Sequence, residues 1–95
     1  MMSEELDEAF LDYMSYLVFM AAQLPWGYGS FALVKGLGKV LEVKALSAEL
    51  GHDELCGRLK AELDAVEGTP SSETETWTAL LDRLTSILTE EMKKA

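Results

Sequence analysis

The glycines after the first helical segment have a spacing that could form a nucleotide-binding site, because glycine-rich turns bind phosphate groups. Gly27, Gly29 and Ala32 match the G-x-G-x-x-A fingerprint of dinucleotide-binding proteins. Glu49 lies near the position of the acid that binds the ribose in those proteins. That chemistry requires a strand before the first glycine, whereas here a helical pattern ending at Pro25 precedes it. We therefore interpret the glycines as a turn between two helices.

The dipeptide Gly38-Lys39 suggests a phosphate loop, and its neighbours exclude one. Leu33 stands where that motif requires a glycine, and Val40 stands where it requires Ser or Thr. An alternative interpretation is structural. Gly36 and Gly38 are unfavourable inside a helix, and close approach of a neighbouring helix is the usual compensation. We therefore expect tight helix packing at both glycines.

One histidine and one cysteine supply the candidate metal ligands. Glu49 and His52 have the Glu-x-x-His spacing of di-iron carboxylate bundles, and a homodimer would double that motif. His52 and Cys56, four residues apart, offer two zinc ligands, with nothing else close in sequence. The competing interpretation is that His52 helps to cap a helix and Cys56 is a small buried apolar residue. We keep Glu49 and His52 as candidate metal ligands and expect no cofactor.

The segment "ALSAELGHDELCGRL" has the spacing of a helix-turn-helix motif. Its second helix would carry five acids against Arg58 and Lys60, and the whole chain has a net charge of −9. Such a surface repels phosphate backbones and anionic membranes, so we expect no nucleic-acid or membrane partner. With a single histidine and no G-x-S-x-G motif, no nucleophile and base are paired in sequence. We therefore expect no catalytic residues and no enzymatic activity.

Apolar residues at 3-and-4 spacing predict four helices, at about residues 3–24, 30–50, 53–67 and 72–93, with a linker at 68–71. Pro25 ends the first helix. Ser30 and Asp53 are the predicted N-caps of the second and third helices, and Ser72 with Glu75 predicts a capping box for the fourth. Short connections favour antiparallel neighbours. The predicted fold is an all-α, four-helix up-down bundle.

Length and composition predict one domain, because 95 residues are too few for two separate cores. The nearly apolar run from Tyr13 to Trp26 is too short and too amphipathic to span a bilayer. The N-terminal segment lacks the positive charge of a signal peptide, and Cys56 has no second cysteine with which to pair. We therefore expect a cytoplasmic protein.

Aromatic residues concentrate in the first helix and the turn that follows it. A bundle of 95 residues has too small a core to bury them all, and Tyr and Trp favour interfaces. We therefore predict a homodimer whose interface includes Tyr13, Tyr16, Phe19, Met20, Trp26 and Tyr28.

Lys44 projects onto the apolar stripe of the second helix. Three interpretations are open: the apolar stripe ends at Lys44, the lysine side chain extends its ammonium to solvent, or the ammonium is paired with an acid. Trp26, Tyr28 and Lys44 are the candidate ligand-binding residues.

The segments "LDYMSYLVFMAA" and "YGSFALVKGLGKVLE" resemble a family of small bacterial helical proteins of unknown function. In that family a tyrosine-rich helix leads through a Tyr-Gly turn into a leucine-rich helix. The resemblance covers about residues 11–42. It implies helix-turn-helix packing around Tyr28 and Gly29, and it implies no activity.

These observations together favour a non-enzymatic homodimeric interaction or scaffold protein whose protein partner the sequence does not identify. The alternative is a helical bundle that binds a small ligand or a metal. Its site would lie between the first two helices or around Glu49 and His52.

Overall fold

The computed structural model describes residues 2–46 and 51–94 and contains four helices. They are α1 (Met2–Gln23), α2 (Tyr28–Ala45), α3 (Asp53–Ala65) and α4 (Thr74–Lys93). Over these two ranges the backbone forms no strand. The structure confirms the predicted all-α, four-helix fold.

The helices form a ring in which chain neighbours are also spatial neighbours. α1 packs against α2 and α4, and α3 packs against α4 and α2. The described connections are short, which favours antiparallel neighbours and an up-down bundle. The core lies inside this ring because each helix places apolar residues at 3-and-4 spacing on its inner side.

The fully buried side chains come from all four helices. α1 contributes Met14 and Val18, and α2 contributes Leu37. The large apolar residues of α4 are buried from Trp77 to Leu88, whereas Met92, near the end of the helix, is 43% exposed. The remaining fully buried leucines are Leu55, Leu59, Leu80, Leu84 and Leu88.

The start of α2 corrects the prediction that Ser30 is its N-cap. α2 begins at Tyr28 with Gly27 as its N-cap, so Ser30 lies inside the first turn. Its buried hydroxyl accepts the Gly27 N–H at 2.9 Å and lies 3.1 Å from the Gly27 carbonyl oxygen. The Ser30 hydroxyl therefore forms hydrogen bonds with backbone groups of the turn that precedes the helix. Residues 47–50, predicted as the end of this helix, lie outside the described residues.

The starts of α3 and α4 also differ from the prediction. The N-cap of α3 is His52, which has a left-handed backbone with φ 65°, and Asp53 is the first helical residue. The N-cap of α4 is Glu73 and the helix begins at Thr74, so the predicted capping box from Ser72 to Glu75 does not form. In both cases sequence spacing placed the polar residue within one or two positions of the observed end.

Candidate functional site

An apolar groove of about 540 Å³ follows the outer face of α1 and α2. Leu6 and Tyr13 line it from α1 and are 48% and 53% exposed, and Val43 lines it from α2 and is 60% exposed. Large apolar side chains that share one open groove are typical of a contact surface. The other lining residues are Ala9, Phe10, Gly36, Lys39 and Val40.

Gly36 brings α1 and α2 close together beneath this groove. A Cβ built at Gly36 would lie 3.8 Å from Cδ2 of Leu17, which is ordinary van der Waals contact. This agrees with the close helix packing predicted at Gly36. The same prediction is wrong for Gly38, where a built Cβ meets nothing within 4 Å.

Charges of opposite sign border the two sides of the groove. Residues 1–34 contain no lysine or arginine, and the exposed acids Glu5 and Asp12 lie four and three residues from Ala9 in the α1 wall. Lys39 lies in the α2 wall and is well exposed, with Glu42 at 3.5 Å. One side of the groove is therefore acidic, and the other carries a basic side chain.

The predicted interface residues differ in their exposure to solvent. Tyr13, Tyr16 and Tyr28 are exposed, and Met20 is half-buried. Tyr13 alone among these four lines the groove. Phe19 is half-buried against the core, six residues after Tyr13 and therefore about 120° away around α1. The structure thus places exposed aromatic area on α1 without joining all of the predicted residues into one surface.

Trp26 belongs to an aromatic cluster that joins the α1–α2 turn to the α3–α4 connection. Its indole stacks on Trp77 with centroids 5.4 Å apart and planes 9° apart, and Phe31 meets both indoles edge-on. The Trp26 N–H donates to the Ser71 carbonyl at 2.7 Å, and the Trp77 N–H donates to the Pro70 carbonyl at 2.9 Å. Trp77 is buried and Trp26 is half-buried, and an indole N–H that is withdrawn from water is costly to leave unpaired.

The predicted ligand-binding residues do not come together. Trp26 and Tyr28 line a shallow pocket of about 310 Å³ beside Ser71 and Thr74. Lys44 lies in the last turn of α2, and Tyr28 begins that helix. The two residues are therefore about 24 Å apart along the helix axis. No single small molecule of ordinary size contacts all three predicted residues.

Lys44 is buried because its ammonium is paired with Asp53, which selects one of the three interpretations of this lysine. The side chain of Lys44 is 10% exposed, and it donates a hydrogen bond to the Asp53 carboxylate, which is 86% exposed. That hydrogen bond raises the pKa of Lys44 and lowers the pKa of Asp53. The pair fastens the end of α2 to the start of α3.

The candidate metal ligands are only partly visible, since Glu49 lies outside the described residues. His52 Nε2 lies 3.1 Å from the backbone carbonyl oxygen of Asp7, and the Asp7 carboxylate accepts the Gly51 N–H at 2.8 Å. Within residues 5–46 and 51–94, no three His, Cys, Asp or Glu side chains group as metal ligands. Cys56 is buried, and burial raises the pKa of its thiol, which disfavours the reactive thiolate form.

Asp7 is the structural residue that sequence patterns did not single out. It stands among several acids of α1, and its contacts are with residues 44 and 45 positions away. Sequence spacing within one helix carries no signal for a contact of that range. The interpretation of His52 as part of a helix cap is confirmed, because its carbonyl accepts the Cys56 N–H at 2.9 Å.

Comparison with known proteins adds no relatives. The chain matches no protein-family model, and no curated protein or solved structure is significantly similar to it. In the described part of the chain, no helix has the length and apolar character needed to cross a membrane.

Proposed function

We propose that this chain is a non-enzymatic interaction protein that acts as a homodimer through the α1–α2 groove. The observation that carries the proposal is the run of exposed apolar side chains along the groove, which includes Leu6, Tyr13 and Val43. Covering exposed apolar surface of this kind with a partner lowers the free energy, which favours association.

The α1 wall of the groove runs from Leu6 to Tyr13, about 10 Å, so a stable dimer has to use more of α1 and α2 than the groove itself. α1 has 22 residues and is therefore about 33 Å long, and α2 runs beside it at an ordinary interhelical distance of about 8–10 Å. A standard interface buries roughly 800 Å² on each partner. The chain exposes 6084 Å² in total, so such an interface covers a modest part of it.

The charges favour a second copy of this chain as the partner and select its orientation. A two-fold axis parallel to the helices places α1 of each copy opposite α2 of the other. Because Lys39 shares the groove with the segment between Glu5 and Asp12, it then lies level with the partner copy's acids. The perpendicular axis would instead bring two acidic α1 helices together, which is repulsive.

The same proposal includes a cytoplasmic location and an absence of catalysis. The location rests on the single cysteine, which cannot form an internal disulfide, and the absence of catalysis rests on the single histidine, which has no paired nucleophile in sequence. The alternative of a metal site at Glu49 and His52 stays a prediction. Stoichiometric metal in the purified protein, lost in a His52→Ala variant, would favour that alternative over a purely structural role.

Sedimentation velocity of the full chain at micromolar concentrations tests the dimer. We expect a dimer for the wild type and a monomer for Val43→Lys, because a charge in the groove is desolvated by the partner. Ala61→Lys is the matched control, since Ala61 is exposed on α3 and lies outside the groove. Lys39→Glu should weaken the dimer, and high salt should reduce the difference between Lys39→Glu and the wild type.

Two results would contradict the proposal. One is a wild-type protein that remains monomeric throughout this concentration range. The other is a Val43→Lys variant that dimerises as tightly as Ala61→Lys. Thermal unfolding followed by circular dichroism shows whether each variant remains folded.

A further inference from the structure

A second pocket lies on a different side of α2, between α2 and α3, and has a volume of about 160 Å³. Phe31, Val34 and Gly38 line it at 3-and-4 spacing, whereas the α1–α2 groove uses Gly36, Val40 and Val43. The pocket and the dimer groove therefore occupy separate faces of α2. The opposite wall comes from Leu63 and Val66, and Trp77 closes one end.

Gly38 keeps this pocket open. It lies in the middle of α2, where glycine is among the least favourable residues. Gly36 is explained by its contact with Leu17, but a Cβ at Gly38 would meet nothing within 4 Å. An alanine would fit there and would stabilise the helix. Glycine at position 38 therefore lowers the stability of the helix without being required by a neighbouring contact, and it leaves the pocket open.

The size and lining of the pocket match a small apolar group. A cavity of roughly 150 Å³ lined by aliphatic and aromatic side chains stays dry and binds benzene. Val34, Leu63 and Val66 are the aliphatic residues here, and Phe31 and Trp77 are the aromatic ones. The volume is of the size that a phenyl or isobutyl group needs.

The mouth of the pocket carries separated charges. Lys35 lies on the α2 side, with Nζ 5.3 Å from the centroid of the Phe31 ring. Asp64 and Glu67 lie on the α3 side, and Asp64 accepts a hydrogen bond from Lys60 at 2.9 Å. The mouth therefore has a cation at Lys35 on one side and two anions, Asp64 and Glu67, on the other, which Lys60 offsets only in part. A head group with both a carboxylate and an ammonium complements these charges.

We propose that the pocket between α2 and α3 binds an apolar α-amino acid, with its side chain inside the pocket. Its carboxylate faces Lys35 and its ammonium faces Glu67. Trp77 at the end of the pocket reports binding through its fluorescence. This site is independent of the proposed dimer, because it lies on another face of α2.

L-Phenylalanine is the first probe, titrated into the full chain in the millimolar range while tryptophan fluorescence is recorded. We expect a saturable change for the wild type and none for Gly38→Leu, whose side chain fills the pocket. Gly57→Leu is the matched control. Gly57 also lies within a helix, a Cβ there also meets nothing within 4 Å, and it does not line the pocket. The pocket assignment is overturned if no saturable change occurs or if Gly38→Leu binds as the control does.

Two further probes test the charged head group. Phenethylamine lacks the carboxylate, and hydrocinnamate lacks the ammonium, so each should bind more weakly than L-phenylalanine. Lys35→Met and Glu67→Gln should each weaken L-phenylalanine binding roughly two- to fivefold, as expected for exposed ion pairs. Toluene should bind the wild type and both variants equally. If the two variants bind L-phenylalanine as the wild type does, the charged mouth does not recognise the ligand and the amino-acid assignment is wrong.

Discussion

The contact between Asp7 and Gly51 shows how one side chain secures a connection between distant parts of the chain. The Asp7 carboxylate accepts the Gly51 N–H at 2.8 Å, and the Asp7 carbonyl oxygen lies 3.1 Å from His52 Nε2. The same residue of α1 therefore contacts two consecutive residues at the entry to α3. A Cβ at Gly51 would lie 2.8 Å from Oδ2 of Asp7, so any larger residue there forces the carboxylate to move.

Gly51→Ala should destabilise the protein because its methyl group displaces the Asp7 carboxylate. We expect a loss of about 1–2 kcal/mol in the free energy of unfolding, measured by urea titration. Gly57→Ala is the control and should gain up to about 1 kcal/mol, because an alanine there meets nothing and favours the helix. In an Asp7→Ala background the cost of Gly51→Ala should shrink. An unchanged cost in that background would show that the two residues are not coupled.

The ion pair between Lys44 and Asp53 should make the free energy of unfolding fall at both low and high pH. The pKa of Asp53 is lowered from an ordinary value of 3.8, so its contribution is present above that pH and is lost as the pH falls through the folded-state pKa. The pKa of Lys44 is raised from 10.5, so its contribution is present below that pH and is lost as the pH rises through the folded-state pKa. Asp53→Asn should therefore lower the free energy of unfolding at neutral pH.

The difference between Asp53→Asn and the wild type should diminish as the pH falls below 3.8 and disappear once it has passed the lowered folded-state pKa of Asp53, where the wild type loses its carboxylate charge. Lys44→Met is the companion variant. It removes the buried ammonium instead of leaving it unpaired, so it should cost less than Asp53→Asn. Urea titrations at several pH values measure both effects. A stability difference for Asp53→Asn that does not change with pH would show that the ion pair is not its cause.

At the scale of the elements, the bundle is closed at one end by two tryptophans that hold the α3–α4 connection. Trp26 comes from the α1–α2 turn and Trp77 from α4, and their N–H groups donate to consecutive carbonyls, those of Ser71 and Pro70. The indole planes stack within 9° of parallel. This arrangement explains why a connection of polar residues keeps a defined path across the end of the bundle.

Trp26→Phe should retain an aromatic ring and lose the hydrogen bond to Ser71 and part of the stack on Trp77. We expect a loss of about 1–2 kcal/mol in the free energy of unfolding, with a weaker near-ultraviolet circular dichroism signal. Tyr28→Phe is the control, because Tyr28 is exposed and its change should stay within about 0.5 kcal/mol. Equal stability for these two variants would mean that the Ser71 hydrogen bond contributes nothing.

At the scale of the whole molecule, stability rests on one core that all four helices share. A chain of 95 residues has a total stability of about 5–14 kcal/mol, so a single buried leucine is a substantial part of it. Leu84 is fully buried in α4 and belongs to this core. Removing its side chain should therefore affect the whole bundle and not α4 alone.

Leu84→Ala should lower the free energy of unfolding by about 2–5 kcal/mol, because it removes apolar contacts and leaves a cavity. Leu46→Ala is the same chemical change at a residue that is 89% exposed, and it should cost less than about 0.5 kcal/mol. Urea unfolding of both variants provides the measurement. If circular dichroism and tryptophan fluorescence gave different midpoints for Leu84→Ala, the core would not unfold as one unit.

The amino-acid sequence alone was enough to predict the four helices, their order and most of their inward faces, because these follow from residue spacing within each segment. Pro25 and Gly27 likewise placed the first turn correctly. Helix ends were less accurate: Ser30, Asp53 and Ser72 are all near an end without being the N-cap. The capping residue depends on backbone angles that the tertiary contacts select.

Only the tertiary structure decided which polar and small residues carry particular contacts. It paired Lys44 with Asp53, joined Asp7 to Gly51, and distinguished Gly36, which packs against Leu17, from Gly38, which faces an open pocket. Such contacts depend on how helices are placed around one another, and the spacing of residues within a helix does not contain that placement. The dimer remains a prediction from the excess of aromatic residues, and the structure adds the groove in which it can be tested.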